Sequence, residues 1–334
     1  MDSATYSFRA GSSLVREILP YFPFSFFSSS VAPFFPIFDQ TREKIMVQFH
    51  IVHRTSYHYD QAVTENKNIL RIYPYQTECQ HVLDQTVRIS GNPSVIETKD
   101  SFGNRMGMFT LHSPHTELII ESEIQIQNQA CNKRATAEKA SKSWEDLSLL
   151  ARDTTFQLFL NPREFAPIPE IKEAVEHLMP QGKTPFEVAM DMTTYVYTHF
   201  AYRPGSTNVH TETLDVWKLK AGVCQDFAHV LIYLLRLAQL PARYVSGYIC
   251  PNADGLIGDG ATHAWVEVYI PQYGWLGVDP TNNCCAEEKY VSVAVGRDYK
   301  DIAPIKGEFT GQARTTLQVV VTVRYEEIAE PACI

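Results

Sequence analysis

The chain has 334 residues, a formal net charge of −9, and hydrophobic and charged fractions of 45% and 20%. This length allows two domains that each bury a core of their own. The acidic balance and the absence of basic runs argue against non-specific nucleic-acid binding and against attraction to anionic membranes. We therefore expect neither nucleic acid nor membrane as a partner, and the sequence does not indicate an oligomeric state.

Residues 1–45 differ from the rest of the chain. The stretch 18–38 carries no charge but contains four prolines, which would break a membrane-spanning helix. We expect an irregular or disordered extension, or a start assigned too early with Met46 as the true beginning. A cleaved export signal is the less favoured alternative, because the segment is rich in aromatic residues and lacks a clear small-residue cleavage site.

Residues 46–130 show the short alternating runs and turn signals of an antiparallel β domain. Strands are predicted over 69–73, 82–89, 95–98, 107–111 and 118–126, after a first strand that starts near Met46. This spacing is typical of a small β-sandwich. The polar stretch 131–143 is predicted to be a linker.

Residues 144–330 form the second predicted domain, which mixes helices and strands. Helices are predicted over 144–151, 168–179 and 185–200. The alternating run 315–325 predicts a strand, which we expect to complete the sheet of this domain. The fold class is therefore predicted to be α+β, with the β-sandwich first.

Cys224 lies at the predicted start of a buried helix. Gly222 supplies a flexible entry, an apolar stripe at helical spacing follows, and Pro241 ends the helix near residues 239–240. Unpaired N–H groups and the helix dipole at this end favour thiolate over thiol and would also stabilise an oxyanion beside the sulfur. Taken alone, Cys224 would more often be a small core hydrophobe.

His263 and Asp279 are predicted to meet across a hairpin. Residues 262–270 alternate as a half-buried strand, with His263 on a polar and aromatic face that would line a cleft. The run 275–279 is a second strand. Direct pairing of His263 with Asp279 would centre the loop on residue 271, and diagonal pairing would move the centre by one residue. Asp279 would then orient the imidazole as the third member of a Cys-His-Asp triad.

Five further residues are candidates for the surroundings of this triad. Tyr202 is a weak candidate for an oxyanion donor. Gln225 and Asp226 would brace the nucleophile, although a solvated face is an equal alternative for Gln225. Tyr248 and Trp265 would either shape the cleft or pack in the core, and we favour the core for both.

The seven cysteines include no CxxC pair, and the histidines of the β domain lack ligand spacing. We therefore expect no metal and no cofactor. The odd number of cysteines and the adjacent pair Cys284 and Cys285 favour free thiols in a reducing compartment, which places the protein in the cytoplasm.

Four motifs, at 222–229, 241–248, 263–268 and 279–282, resemble the bacterial transglutaminase-like family, whose members are often described as proposed cysteine proteases. The resemblance covers about residues 46–325. It implies a papain-like catalytic core and a triad of Cys224, His263 and Asp279.

The expected activity is hydrolysis of an amide bond in a peptide or protein substrate through a thioester on Cys224. The same acyl-enzyme, resolved by an amine instead of water, would make the protein a protein-glutamine transglutaminase. We favour hydrolysis, because no feature marks an amine pocket and water is always present. A non-catalytic binding or scaffold module on the same fold is the third alternative.

Overall fold

The computed structural model describes residues 45–140, 144–150, 152–162, 168–249 and 262–329. The predicted N-terminal extension lies, apart from Ile45, outside the described residues. Cys250 and Cys333 also lie outside them. Within these ranges, no helix is long and apolar enough to cross a membrane.

The chain has an α+β fold, as predicted. The strands in chain order are β1 (Ile45–Leu70), β2 (Gln80–Ile89), β3 (Ile96–Lys99), β4 (Arg105–Leu111), β5 (His115–Gln129), β6 (Ala201–Tyr202), β7 (Ala221–Gly222), β8 (Ala242–Ile249), β9 (Thr262–Ile270), β10 (Gly274–Asp279), β11 (Cys284–Cys285), β12 (Tyr290–Gly296), β13 (Ile305–Thr310) and β14 (Thr315–Ala329). The helices are α1 (Lys133–Ala140), α2 (Glu145–Leu150), α3 (Thr154–Leu160), α4 (Pro169–Leu178), α5 (Pro185–His199), α6 (Thr213–Leu219), α7 (Cys224–Leu237) and α8 (Tyr299–Ile302).

Strand β1 organises the β domain, because its two halves belong to two antiparallel arms. The first half pairs with β5 and β14, and β2 extends this arm from β5. The second half pairs with β4 and β13, and β3 extends that arm from β4. Residues of both arms, including Leu70, Phe109 and Leu118, share one buried apolar cluster. The arms therefore face each other, as expected of a sandwich.

The prediction that the last strand completes the catalytic sheet is wrong. Strand β14 pairs with β1 along its whole length, from Ile45 opposite Ala329 to Tyr59 opposite Thr315. Strand β13 also joins β1. Alternating apolar and polar side chains identify a strand. Its neighbour in the sheet is joined through backbone N–H and C=O groups, which are the same in every sequence. The pattern over 315–325 therefore could not name its partner.

The second sheet supports helix α7, which begins at Cys224. Its order is β11-β10-β9-β8-β12, all antiparallel, and α7 packs against β8 and β9. Phe227, Leu231 and Leu235 of α7 are at most 2% exposed. Each such buried side chain contributes roughly 1.5–3 kcal/mol. This burial fixes the direction of α7 and therefore where its first residue lies.

The predicted linker 131–143 is partly helical. Helix α1 covers Lys133–Ala140, and Ala137 is completely buried against the core that surrounds α7. The Ala- and Lys-rich composition that we interpreted as a linker is also good helix-forming composition. Lys133 Nζ also donates to Ala286 O (3.4 Å) and Arg134 N to Glu287 Oε1 (3.2 Å), so packing and hydrogen bonds together hold this short helix in place.

Cys79 and Cys131 form a disulfide, with Cα atoms 6.3 Å apart. The expectation that the cysteines are free thiols is therefore wrong for this pair. It fits Cys224, Cys284 and Cys285, which are free. The two bonded residues are 52 positions apart, and only the antiparallel pairing of β2 with β5 brings them together. The cytoplasmic location stays a prediction.

We predict that reducing the disulfide lowers the free energy of unfolding by about 2–4 kcal/mol, because the bond restricts the unfolded chain. Urea unfolding with and without dithiothreitol measures this. The double variant Cys79→Ser/Cys131→Ser is the control, and its stability should not respond to dithiothreitol. A response of equal size in the variant would contradict the prediction.

A buried histidine joins the β domain to the second sheet. His53 Nδ1 and the Tyr248 hydroxyl are 2.8 Å apart, and both side chains are buried. Burial disfavours the imidazolium and lowers the pKa of His53 to about 4. The folded protein therefore keeps this ring neutral at pH values where the unfolded chain protonates it.

We predict that His53 makes the fold sensitive to acid. The unfolded histidine, with a pKa of about 6.5, binds a proton that the folded one refuses, so stability falls as the pH drops from about 6.5 towards 4. Between pH 7 and 5 the free energy of unfolding therefore falls by about 2 kcal/mol. Urea unfolding of His53→Asn, which does not titrate, should lose that much less stability than wild type over the same interval. Equal losses would refute the assignment.

Candidate active site

Cys224 is the first residue of α7 and is half-buried. Asp226, two residues on, folds back over the helix start and accepts hydrogen bonds from Val223 N (2.8 Å) and Thr207 Oγ1 (2.5 Å). Burial raises the pKa of Asp226, and these two hydrogen bonds oppose the rise. Asp226 therefore secures the start of α7 and ties it to the preceding loop.

Gly222 is required for space and not for flexibility, which corrects our prediction. It lies in β7, which pairs in parallel with β6, and it is not among the glycines with positive φ. A Cβ added at Gly222 would lie 2.6 Å from Oδ2 of Asp226. The glycine therefore allows the Asp226 carboxylate to reach back to the start of α7.

The hairpin of β9 and β10 has a diagonal register and not the direct one. Val278 is opposite Val266, so Asp279 lies two positions from the residue directly opposite His263. The centre of the loop is residue 272, not 271. Gln272 has φ 63°, a left-handed turn conformation, and this closes the loop. The diagonal register still brings the two side chains together.

Asp279 is completely buried and accepts five hydrogen bonds. Its Oδ2 receives His263 Nε2 (2.8 Å), Asn282 Nδ2 (2.7 Å) and the Tyr290 hydroxyl (2.8 Å). Its Oδ1 receives the backbone N–H groups of Thr281 (2.8 Å) and Asn282 (3.3 Å). Burial alone would raise the pKa of Asp279, but His263 and the side-chain donors outweigh it and lower the pKa. The carboxylate is thus held ionised in a dry site.

His263 is placed between this carboxylate and the thiol. Burial disfavours the imidazolium, but Asp279 and the side chain of Cys224 outweigh burial and raise the pKa of His263. Because Nε2 is bonded to Asp279, the other ring nitrogen remains for the thiol. Nδ1 is buried, and among the described residues it has no oxygen or nitrogen partner. The three predicted triad residues therefore come together in the order thiol, imidazole, carboxylate.

Tyr202 lies next to this group. Its pKa is raised to about 12 by burial and by negative charge at Cys224, Asp279 and Asp226. The phenol is therefore a hydrogen-bond donor at neutral pH. Strand β6 fixes its backbone opposite Gly222.

The remaining predicted residues have different positions. Gln225 is half-buried beside Cys224 in α7. Tyr248 and Trp265 are 2% and 1% exposed, so they are core residues, and the face that carries Trp265 does not line a cleft there. Tyr248 bonds to the β domain, whereas the indole of Trp265 stacks on the imidazole of His263, with ring centroids 6.2 Å apart.

Tyr290, which donates to Asp279 from β12, was not among the predicted site residues. The apolar, β-branched run over 290–296 was a usable strand signal, but nothing in it distinguishes a tyrosine that packs from one that donates. In the ranges that the structure describes, no group of three His, Cys, Asp or Glu residues is arranged to hold a metal ion.

We predict that Gly222→Ala displaces Asp226 from Val223 N and frays the start of α7. The expected loss is about 1–2 kcal/mol of unfolding free energy, the scale of a lost helix cap with overpacking. Iodoacetamide should also alkylate Cys224 more slowly. Urea unfolding and mass spectrometry of the labelled peptide measure the two effects. A wild-type free energy of unfolding together with a wild-type alkylation rate would show that Asp226 does not need the space beside Gly222.

Comparison with known proteins agrees with the fold. Residues 172–280 match the transglutaminase-like superfamily, and residues 49–127 match the bacterial transglutaminase-like N-terminal region. An uncharacterised protein of Mycobacterium leprae is 32% identical over 281 residues, which are 83% of this chain and 99% of that protein. A protein-glutamine gamma-glutamyltransferase of Pseudomonas aeruginosa is 33% identical over 134 residues, which are 38% of this chain and 19% of that protein.

Among solved structures, a protein of Cytophaga hutchinsonii that is provisionally assigned as a cysteine protease superposes with a TM-score of 0.66 at 23% identity. The superposition covers 86% of this chain and 93% of the other, so the shared fold includes the β domain. Both family matches lie on the two domains described above. The chain belongs to the transglutaminase-like superfamily and carries the bacterial N-terminal region of that group.

Proposed function

We propose that the protein is a thiol-dependent amide-bond hydrolase, a protease or amidase in which Cys224 is the nucleophile, His263 the base and Asp279 the group that orients the base. The observation that supports this best is the buried bond from His263 Nε2 to Asp279 Oδ2, which leaves Nδ1 for the sulfur. A neutral core histidine does not need an ionised, five-times hydrogen-bonded carboxylate behind it. The proposed substrate is a peptide or protein.

Acylation begins when His263 Nδ1 takes the proton of the Cys224 thiol. The sulfur attacks the amide carbon, the C–S bond forms, and the carbonyl electrons move to oxygen. The backbone N–H of Cys224 and the hydroxyl of Tyr202 donate to this oxyanion in our mechanism. The C–N bond then breaks, and His263 gives its proton to the leaving amine.

Deacylation returns the enzyme to its starting state. His263 removes a proton from water, the resulting hydroxide attacks the thioester, and the C–S bond breaks to release a carboxylic acid. The thiolate of Cys224 is regenerated beside the imidazolium. Asp279 stays ionised throughout and stabilises that imidazolium.

Transfer to an amine is the second candidate, because an amine can replace water in deacylation. The partial match to a protein-glutamine gamma-glutamyltransferase favours it. Incubation with a glutamine-containing peptide library, with and without a primary amine, should separate the two. Hydrolysis gives a free acid at the same rate in both arms, whereas a transferase forms the substituted amide and releases little acid when amine is present.

We predict one fast-reacting thiol at neutral pH. Iodoacetamide should label Cys224 at least about tenfold faster than Cys284 or Cys285, for both of which burial raises the pKa. Cys224→Ala should abolish the fast phase, and His263→Ala should slow it to the rate of the other thiols.

The matched control for the base is His53→Ala, which removes another buried histidine outside the candidate site. It should leave the fast phase intact in the folded protein. Slow and equal labelling of all free cysteines in wild type would instead support a non-catalytic scaffold on this fold.

A further inference from the structure

Tyr290 is buried and packs against His263 and Asp279 of the candidate triad. Its hydroxyl lies 2.8 Å from Asp279 Oδ2, the same oxygen that binds His263 Nε2. Its ring packs edge-on against Trp265, with centroids 5.3 Å apart, and Trp265 stacks on His263. The phenol therefore contacts both the carboxylate and the residue behind the imidazole.

The phenol is a donor to Asp279 throughout the physiological pH range. Burial and the negative charge of Asp279 raise the pKa of Tyr290 well above its usual value. Its only proton is directed to Oδ2, so the Cys284 thiol, 3.2 Å from the phenolic oxygen, must act as the donor in that second contact. A chain of hydrogen bonds thus runs from Cys284 through Tyr290 to the carboxylate, and its members polarise one another.

Strand β12, which carries Tyr290, is an edge strand of the second sheet. On its inner side it pairs with β8. On its outer side, Gln80 donates to Ser292 O (2.9 Å) and accepts from Ser292 N (2.8 Å). Asn104 makes the same pair of bonds with Val295, at 2.8 Å each. A side-chain amide has the donor and acceptor of a peptide group, so these two side chains act in place of a neighbouring strand.

A third amide acts on Tyr290 itself. Asn128 Nδ2 donates to the carbonyl oxygens of Tyr290 (2.7 Å) and Glu288 (3.0 Å). Asn128 lies at the end of β5 and is 2% exposed. All three amides belong to the β domain, and each is at least nine-tenths buried. The β domain therefore holds the backbone of β12 at Tyr290, the residue that carries the phenol.

The geometry points to Tyr290 as a positioning residue of the catalytic site, held in place by the β domain through amide contacts with β12. The phenol fixes Asp279 Oδ2 in line with His263 and helps to keep the carboxylate ionised. The β domain is then a part of the catalytic machinery and not only a neighbouring module. This inference rests on the proposed function of the triad.

Removal of the hydroxyl has a predictable sign. A hydrogen bond to the ionised form of an acid lowers its pKa, so Tyr290→Phe raises the pKa of Asp279. When the solution is acidified, Asp279 of the variant takes up a proton at a higher pH than in wild type. The imidazolium of His263 therefore loses its charged partner at that higher pH. The acid limb of the Cys224 alkylation rate should therefore move to higher pH, and the plateau rate should fall about tenfold, the scale of one hydrogen bond to a charged group.

The experiment measures iodoacetamide alkylation of Cys224 from pH 4 to 9 in the full chain. Tyr290→Phe is compared with Tyr59→Phe, which removes a buried hydroxyl that accepts from Asn66 within the β domain. Tyr59→Phe should alter stability only and keep the wild-type rate and profile. A wild-type profile in Tyr290→Phe would overturn the inference. A slow Cys224 in wild type itself would overturn the proposed function and the inference with it.

The role of the β domain is tested with Asn128→Ala against Asn68→Ala. Asn68 is a similarly buried asparagine whose amide bonds to Asn66 within the β domain. Asn128→Ala should shift the alkylation profile in the direction of Tyr290→Phe, and Asn68→Ala should not. Equal profiles would overturn the role of the β domain. Gln80→Ala replaces Asn128→Ala in this comparison if the latter does not fold.

Discussion

The bond between His263 and Asp279 is the interaction on which the rest of the structure depends. A carboxylate buried without compensation would cost several kcal/mol or take up a proton. Here the compensation comes from three directions: the imidazole on β9, the turn that follows β10, and the phenol on β12. The sheet order and the hairpin register have to be correct together for these donors to converge. The strands of the second sheet therefore hold the donors that stabilise the buried carboxylate of Asp279.

The position of Cys224 depends on different interactions. Apolar burial sets the axis of α7, and Asp226 then secures its first turn by reaching over Gly222. This places Cys224 where backbone N–H groups are unpaired, and where the Tyr202 phenol lies nearby. The hydrophobic effect has no direction, so the polar contacts of Asp226 supply the geometric accuracy that burial alone does not.

Local patterns predicted the elements that carry the candidate triad. Helical spacing identified α7, alternation identified β9, and the index of the turn limited the hairpin to direct pairing or a diagonal shift to either side, of which one diagonal register forms. What the sequence left undetermined depends on long-range pairing. The partner of β14 is one such feature, because every strand offers the same backbone groups. The Cys79–Cys131 bond and the contact from Tyr290 to Asp279 are others, because they follow only once the strands are in register.

The pairing of β1 with β14 also affects how the molecule can be divided. The first and last described strands are neighbours for fifteen consecutive residue pairs, with Ile45 opposite Ala329. In topological terms, the transglutaminase-like core is an insertion within a β domain whose first and last strands lie at opposite ends of the described chain. Expression of the N-terminal or the C-terminal part of the chain alone would leave β1 or β14 without the strand with which it pairs. A circular permutant that joins these adjacent ends and opens a loop elsewhere would preserve every backbone pair.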